Sequence, residues 1–69
     1  MSKRDSGVKY VQWVMKTYGK EYPKTARLKL TNYRRELQAD AKRGFKTDRD
    51  GNSIKVTVNS INTALKKLK

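Results

Sequence analysis

The stretch Phe45-Lys46-Thr47-Asp48-Arg49-Asp50-Gly51-Asn52-Ser53-Ile54-Lys55-Val56-Thr57-Val58 decides the fold class. Ile54, Val56 and Val58 alternate with Lys55 and Thr57, the period-two pattern of a half-buried strand. Asp50-Gly51 just ahead of them is a type I′ turn signal, since that turn needs positive φ at both central residues. Phe45 to Asp48 is then the partner strand. A hairpin this short needs a helix against its apolar face, and the flanking sequence offers helices on both sides.

Upstream, Val8, Val11, Val14, Met15 and Tyr18 recur at helical spacing between Ser6 and Tyr18. Asp5 or Ser6 is placed to cap the start, and Gly19 to end the helix in the left-handed conformation. Pro23 suits a first helical turn, where its missing N–H is not needed. Ala26, Leu30, Tyr33, Leu37 and Ala41 then carry one stripe to Gly44, predicting a long helix over Pro23–Arg43, with a break near Lys29–Thr31 as the alternative. Downstream, Asn59 or Ser60 caps a last helix that turns Ile61, Ala64, Leu65 and Leu68 inward.

The predicted order is α-α-β-β-α, a small α+β domain. Residues 1–69 form one unit, with basic ends at 1–5 and 66–69 that fray. That order resembles the histone-like bacterial architectural proteins, which also set a β element between helices. The resemblance is one of element order alone: this chain is shorter and has no proline-tipped arm. A domain of this size buries only about 60% of its unfolded surface. Without cysteine or histidine to staple it, packing must be efficient or shared, as in a homodimer.

Charge is the strongest functional signal. Lysine and arginine supply 18 of the 69 residues against 6 aspartates and glutamates, a formal charge of +12. Self-repulsion on that scale works against compaction and points to a polyanionic partner. On a helical wheel with Ala26 at zero, Arg27, Thr31, Arg34, Arg35, Gln38 and Lys42 fill one flank of the long helix, between about 80° and 180°. Glu36 and Asp40 lie on the other flank, where Lys29 and Arg43 can offset them. An acid-free flank of arginines suits phosphates and guanine edges. Thr31 and Gln38 add hydrogen-bonding reach.

In the hairpin reading Lys46 faces Lys55 across the strands. This is mildly unfavourable unless a phosphate sits between them, and Arg49 at the tip extends the same basic edge. Lys3, Arg4, Lys66, Lys67 and Lys69 make both ends basic, as in arms that add phosphate contacts. Trp13 points away from the apolar side of the first helix, between Lys9 and Lys16. It either packs on the hairpin, which is the favoured expectation, or serves as a stacking or partner anchor.

Catalysis has little to work with, because histidine and cysteine are absent. Glu36 and Asp40 at i, i+4 are surface charges rather than a magnesium site. Asp48–Asn52 fails as a calcium loop: Ser53 occupies the turn-glycine position and Asn59 that of the closing glutamate. No cofactor or metal is expected. No apolar run is long enough for a membrane span, and the N-terminus has no apolar h-region, so a cytoplasmic or nucleoid-associated protein is expected.

The sequence thus predicts a non-enzymatic nucleic-acid-binding protein, with double-stranded DNA favoured over RNA. The alternatives are a phage-type inhibitor docking on an acidic protein, and a small RNA- or ribosome-associated protein. Membrane-surface binding ranks last, because the helices need their apolar stripes for the core.

Overall fold

A computed structural model describes residues 6–48 and 50–68. Three helices pack against one another: α1 (Val8–Tyr18), α2 (Pro23–Lys42) and α3 (Ile54–Lys67). The predicted hairpin does not form. Among the described residues the only extended pairing is an isolated antiparallel bridge between Thr47 and Ser53. The domain is therefore all-α rather than α+β, and the likeness in element order to the histone-like proteins lapses with the hairpin.

The reason lies in residues that satisfy two periods at once. Ile54, Val56 and Val58 alternate, yet Ile54, Thr57, Val58, Ile61, Ala64, Leu65 and Leu68 also recur at i, i+3, i+4 and i+7. Helical extension joins the start of this run to the stripe that follows and buries Ile54, Thr57, Ile61, Ala64 and Leu68 together. A short hairpin buries far less. The helix-propensity cost of the β-branched residues is a few tenths of a kcal/mol each, about 0.7 at most. Burying a side chain such as Ile54 is worth about 1.5–3 kcal/mol. The cap is Ser53, whose hydroxyl accepts from the Val56 N–H at 3.5 Å, rather than Asn59 or Ser60. Val56 is left exposed.

The long helix runs unbroken through Lys29–Thr31, with Pro23 in its first turn. Its end is a Schellman motif: Gly44, at φ +96°, donates to the Ala41 carbonyl and Phe45 donates to that of Asp40. Ala26, Leu30 and Leu37 are buried and Tyr33 half-buried, but Ala41 lies beyond the packed part of the stripe and is exposed. α2 and α3 run antiparallel. Arg27 bonds to Leu68 and Arg34 to Asn62, while Gln38 and Ala41 share a groove with Ile54, Lys55 and Val58. Lys66 and Lys67 belong to α3 and Leu68 is buried; residues 1–5 and Lys69 lie outside the described residues.

The start of α1 differs from expectation. Gly7, not Ser6, is the N-cap, and among the described residues no side chain caps this end; Asp5 lies outside the described residues. The Ser6 hydroxyl instead accepts from the Asn52 side-chain amide at 2.9 Å. The Gly7 N–H donates to the Tyr33 hydroxyl at 2.8 Å. Gly7 has φ +59° and ψ −136°, and a Cβ there would lie 2.7 Å from Asn52 Cγ. Gly7→Ala is therefore expected to cost about 2 kcal/mol through backbone conformation and crowding, read as a lowered midpoint in urea. An unchanged midpoint would mean that this turn relaxes freely. Gly19, by contrast, is right-handed (φ −58°) and continues into a helical turn instead of stopping the chain in the left-handed region.

Candidate nucleic-acid interface

The antiparallel pairing of α2 and α3 creates a surface that neither helix has alone. Along α2, Arg27, Thr31, Arg34 and Gln38 follow one another at i, i+4, i+7 and i+11, with Lys42 one turn on. Along α3, Lys55, Asn59, Asn62 and Lys66 repeat the same spacing. The Arg34–Asn62 hydrogen bond, at 2.7 Å, sets the two stripes side by side. Every position in either stripe is a cation or a neutral hydrogen bonder. From Arg27 to Lys42 the seam extends about 22 Å at 1.5 Å per residue.

Its members divide into two groups. Arg27 Nη2 donates to the Leu68 carbonyl at 2.9 Å, placing a cation at the C-terminal end of α3, where the helix dipole favours it. Arg34 is half-buried against Asn62. Both arginines thus hold α3 in place as well as contributing charge. Arg35, Gln38 and Lys42 are exposed and Thr31 is half-buried. Lys46 and Lys55, predicted to oppose each other across strands, do not share a ladder; they line one groove at the end of the seam together with Gln38 and Phe45. Arg49, predicted at the hairpin tip, lies outside the described residues.

The carboxylates gather elsewhere. Glu36, Asp40, Asp48 and Asp50 line a cleft with Tyr33 and Arg43, on the α2 flank opposite the seam. Among the described residues, no group of three or more acidic, histidine or cysteine side chains is placed to hold a metal ion. Asp48 is occupied structurally: its Oδ1 accepts from the backbone N–H groups of Asp50 and Asn52, both at 2.9 Å. Its Oδ2 lies 3.4 Å from the Tyr33 hydroxyl. Burial, followed by the neighbouring Asp48 and Asp50 charges and the Asp48 hydrogen bond, pushes the Tyr33 phenol above its ordinary value, while the Gly7 N–H works the other way.

Trp13 does not pack on a hairpin. It remains 41% exposed, flanked by Tyr10 at 6.0 Å between ring centroids and by Tyr18 at 5.7 Å. Tyr10 packs edge-on against Tyr33 of α2, and the Lys29 ammonium lies 5.3 Å from the Tyr18 ring centre. Lys9 and Lys16 are exposed. This aromatic group belongs to the α1–α2 side of the molecule, away from the α2–α3 seam.

The α3 half of the seam was hidden in the sequence because starting the last helix at Asn59 or Ser60 detaches Lys55 from Asn62 and Lys66. Asn62 itself carries no signal until the Arg34 contact is known. Phe45, read as a strand residue, was likewise not connected with the charged surface. Among the described residues no helix is long and apolar enough to cross a membrane. Comparison with known protein families, with curated proteins and with solved structures finds no match.

Proposed function

We propose that the protein is a non-enzymatic DNA-binding protein that lays the α2–α3 seam along the phosphate backbone of a duplex. The observation that carries this reading is the segregation of charge. Arg27, Arg34, Arg35, Lys42, Lys55 and Lys66 share a surface with amides and hydroxyls, while Glu36, Asp40, Asp48 and Asp50 lie on the other side of α2. A solvated helix face needs no such sorting. A 22 Å seam spans about six base-pair rises of 3.4 Å along the duplex axis, long enough for several of its cations to reach phosphates. Arg35 and Lys42 are the free phosphate ligands, and Gln38, Asn59 and Thr31 supply the polar reach beside them. Affinity rests on the backbone, with base reading limited to what arginine and these amides reach.

Titration against random-sequence duplex DNA at several salt concentrations tests this. With about five phosphates neutralised, log affinity falls against log salt with a slope near −4.5, roughly 500-fold between 50 and 200 mM. Arg35→Ala and Lys42→Ala each reduce the slope by about one. Lys20→Ala, which removes the same charge from the exposed α1–α2 turn, leaves it unchanged. Equal effects from all three would mean that net charge alone drives binding. Weak binding to duplex DNA with tighter binding to duplex RNA would move the assignment to RNA. Weak binding to both at physiological salt would redirect attention to an acidic protein partner anchored through Trp13.

A further inference from the structure

At the end of the seam nearest the loop after α2, the cationic surface opens into an apolar groove of about 500 Å³. Ala41, Ile54, Val58 and Phe45 line it, with Lys46 and Lys55 as its cations and Gln38 and Asn59 as its amides. Among the described residues no carboxylate borders it. Phe45 is 57% exposed, yet its backbone is fixed on both sides: its own N–H bonds to the Asp40 carbonyl, and the following Lys46 carbonyl accepts from the Ile54 N–H, both at 3.1 Å. An isolated exposed phenylalanine means little. This one stands on rigid backbone, in an apolar groove with cations beside it, continuous with a seam that suits phosphates.

We infer that the Phe45 groove is a subsite for an unpaired nucleobase. This rests on the nucleic-acid reading of the seam and goes beyond it. A base offers a flat π-face to stack on the phenyl ring whatever its identity. Lys46 and Lys55 suit the phosphates on either side of that base, and the Gln38 amide is the type of group that pairs with a base edge. Stacked, paired bases cannot enter such a groove, whereas a base at a gap, bulge or fork can. The protein therefore prefers a duplex with a local unpaired nucleotide, with the seam on the paired segment and the groove on the exposed base.

The test compares an intact duplex with the same duplex carrying a two-nucleotide gap, with 2-aminopurine at one of the two unpaired positions, by anisotropy and by aminopurine fluorescence. The wild-type protein is expected to bind the gapped DNA about tenfold more tightly, as one stacked base allows, and to change the aminopurine emission. Phe45→Ala abolishes the preference and leaves intact-duplex affinity and its salt slope unaltered, whereas Phe45→Trp keeps the preference. Equal wild-type affinity for the two DNAs, or a preference that survives Phe45→Ala, overturns the base subsite and leaves duplex binding by the seam standing. Failure to bind either DNA overturns both.

Discussion

Thr57→Asp is expected to abolish the cooperative fold, and Thr57→Val to strengthen it. Thr57 is 1% exposed on the inner face of α3, and its hydroxyl has no hydrogen-bond partner among the described residues. Replacing that hydroxyl by a methyl of the same shape removes a buried unpaired polar group and should add about 1 kcal/mol. For a domain of this size that is a rise of about 4–8 °C in melting temperature. An aspartate at the same position places a carboxylate in the core, at an effective cost of several kcal/mol. A domain this small holds about 3–5 kcal/mol in total. Circular dichroism should show the loss of helix for Thr57→Asp at 25 °C. A folded Thr57→Asp with a near-wild-type melting temperature would put residue 57 on a solvent face, as a strand alternating with Ile54, Val56 and Val58 requires, and would remove the first turns of α3.

The same residue explains what the sequence disclosed and what it concealed. Helix α2 is legible because independent signals agree over Pro23–Gly44: a first-turn proline, a sustained apolar stripe and a glycine with positive φ at the end. Over Ile54–Val58 the signals conflict. Valine and isoleucine suit strands locally, Asp50-Gly51 suggests a hairpin turn, and Thr57 looks like an outward-facing polar position. The helical alternative becomes visible only when the window extends to Leu68, where tertiary burial outweighs local propensity. Gly51 does adopt positive φ, at +84°, but in a tight loop that leads into Ser53 and a helix.

The candidate site was legible to a similar degree. A helical wheel fixes angles relative to a helix's own stripe, so the acid-free flank of α2 could be read directly. The position of the neighbouring helix could not. Arg27 and Arg34, nearest the stripe, turn out to meet α3, whereas Arg35 and Lys42, farther round, stay exposed. Mutating the Arg34–Arg35 pair would therefore mix packing with charge, which is why Arg35 and Lys42 make the cleaner probes. For Trp13, the wheel placed the ring away from the core correctly, and the expectation that it packs on a hairpin failed along with the hairpin.

Asp48→Ala is expected to cost about 3 kcal/mol, close to the whole stability of the domain. Two backbone N–H groups, from Asp50 and Asn52, converge on Oδ1. The Asn52 amide lies near both carboxylate oxygens and also donates to Ser6. Hydrogen bonds to a charged group contribute about 1.5–3 kcal/mol each, but loop N–H groups can turn to water once released, so the summed loss falls well below the total. What is lost is the link between the loop, the start of α1 and Tyr33 of α2. Asp48→Asn keeps an oxygen for the loop N–H groups while removing the charge, and should cost about 1 kcal/mol, which separates geometry from electrostatics. The Tyr33 phenol supplies an independent readout. A tyrosine whose folded value is raised contributes stability that is fully present below its ordinary value of 10.0 and is lost as pH rises through the higher folded value. The wild-type domain should thus weaken on the alkaline side. Asp48→Ala removes the Asp48 charge and hydrogen bond from the shift but leaves burial, its largest cause, and the Asp50 charge, so part of that alkaline weakening should persist. An Asp48→Ala midpoint in urea indistinguishable from wild type would show that the loop holds its shape without the carboxylate.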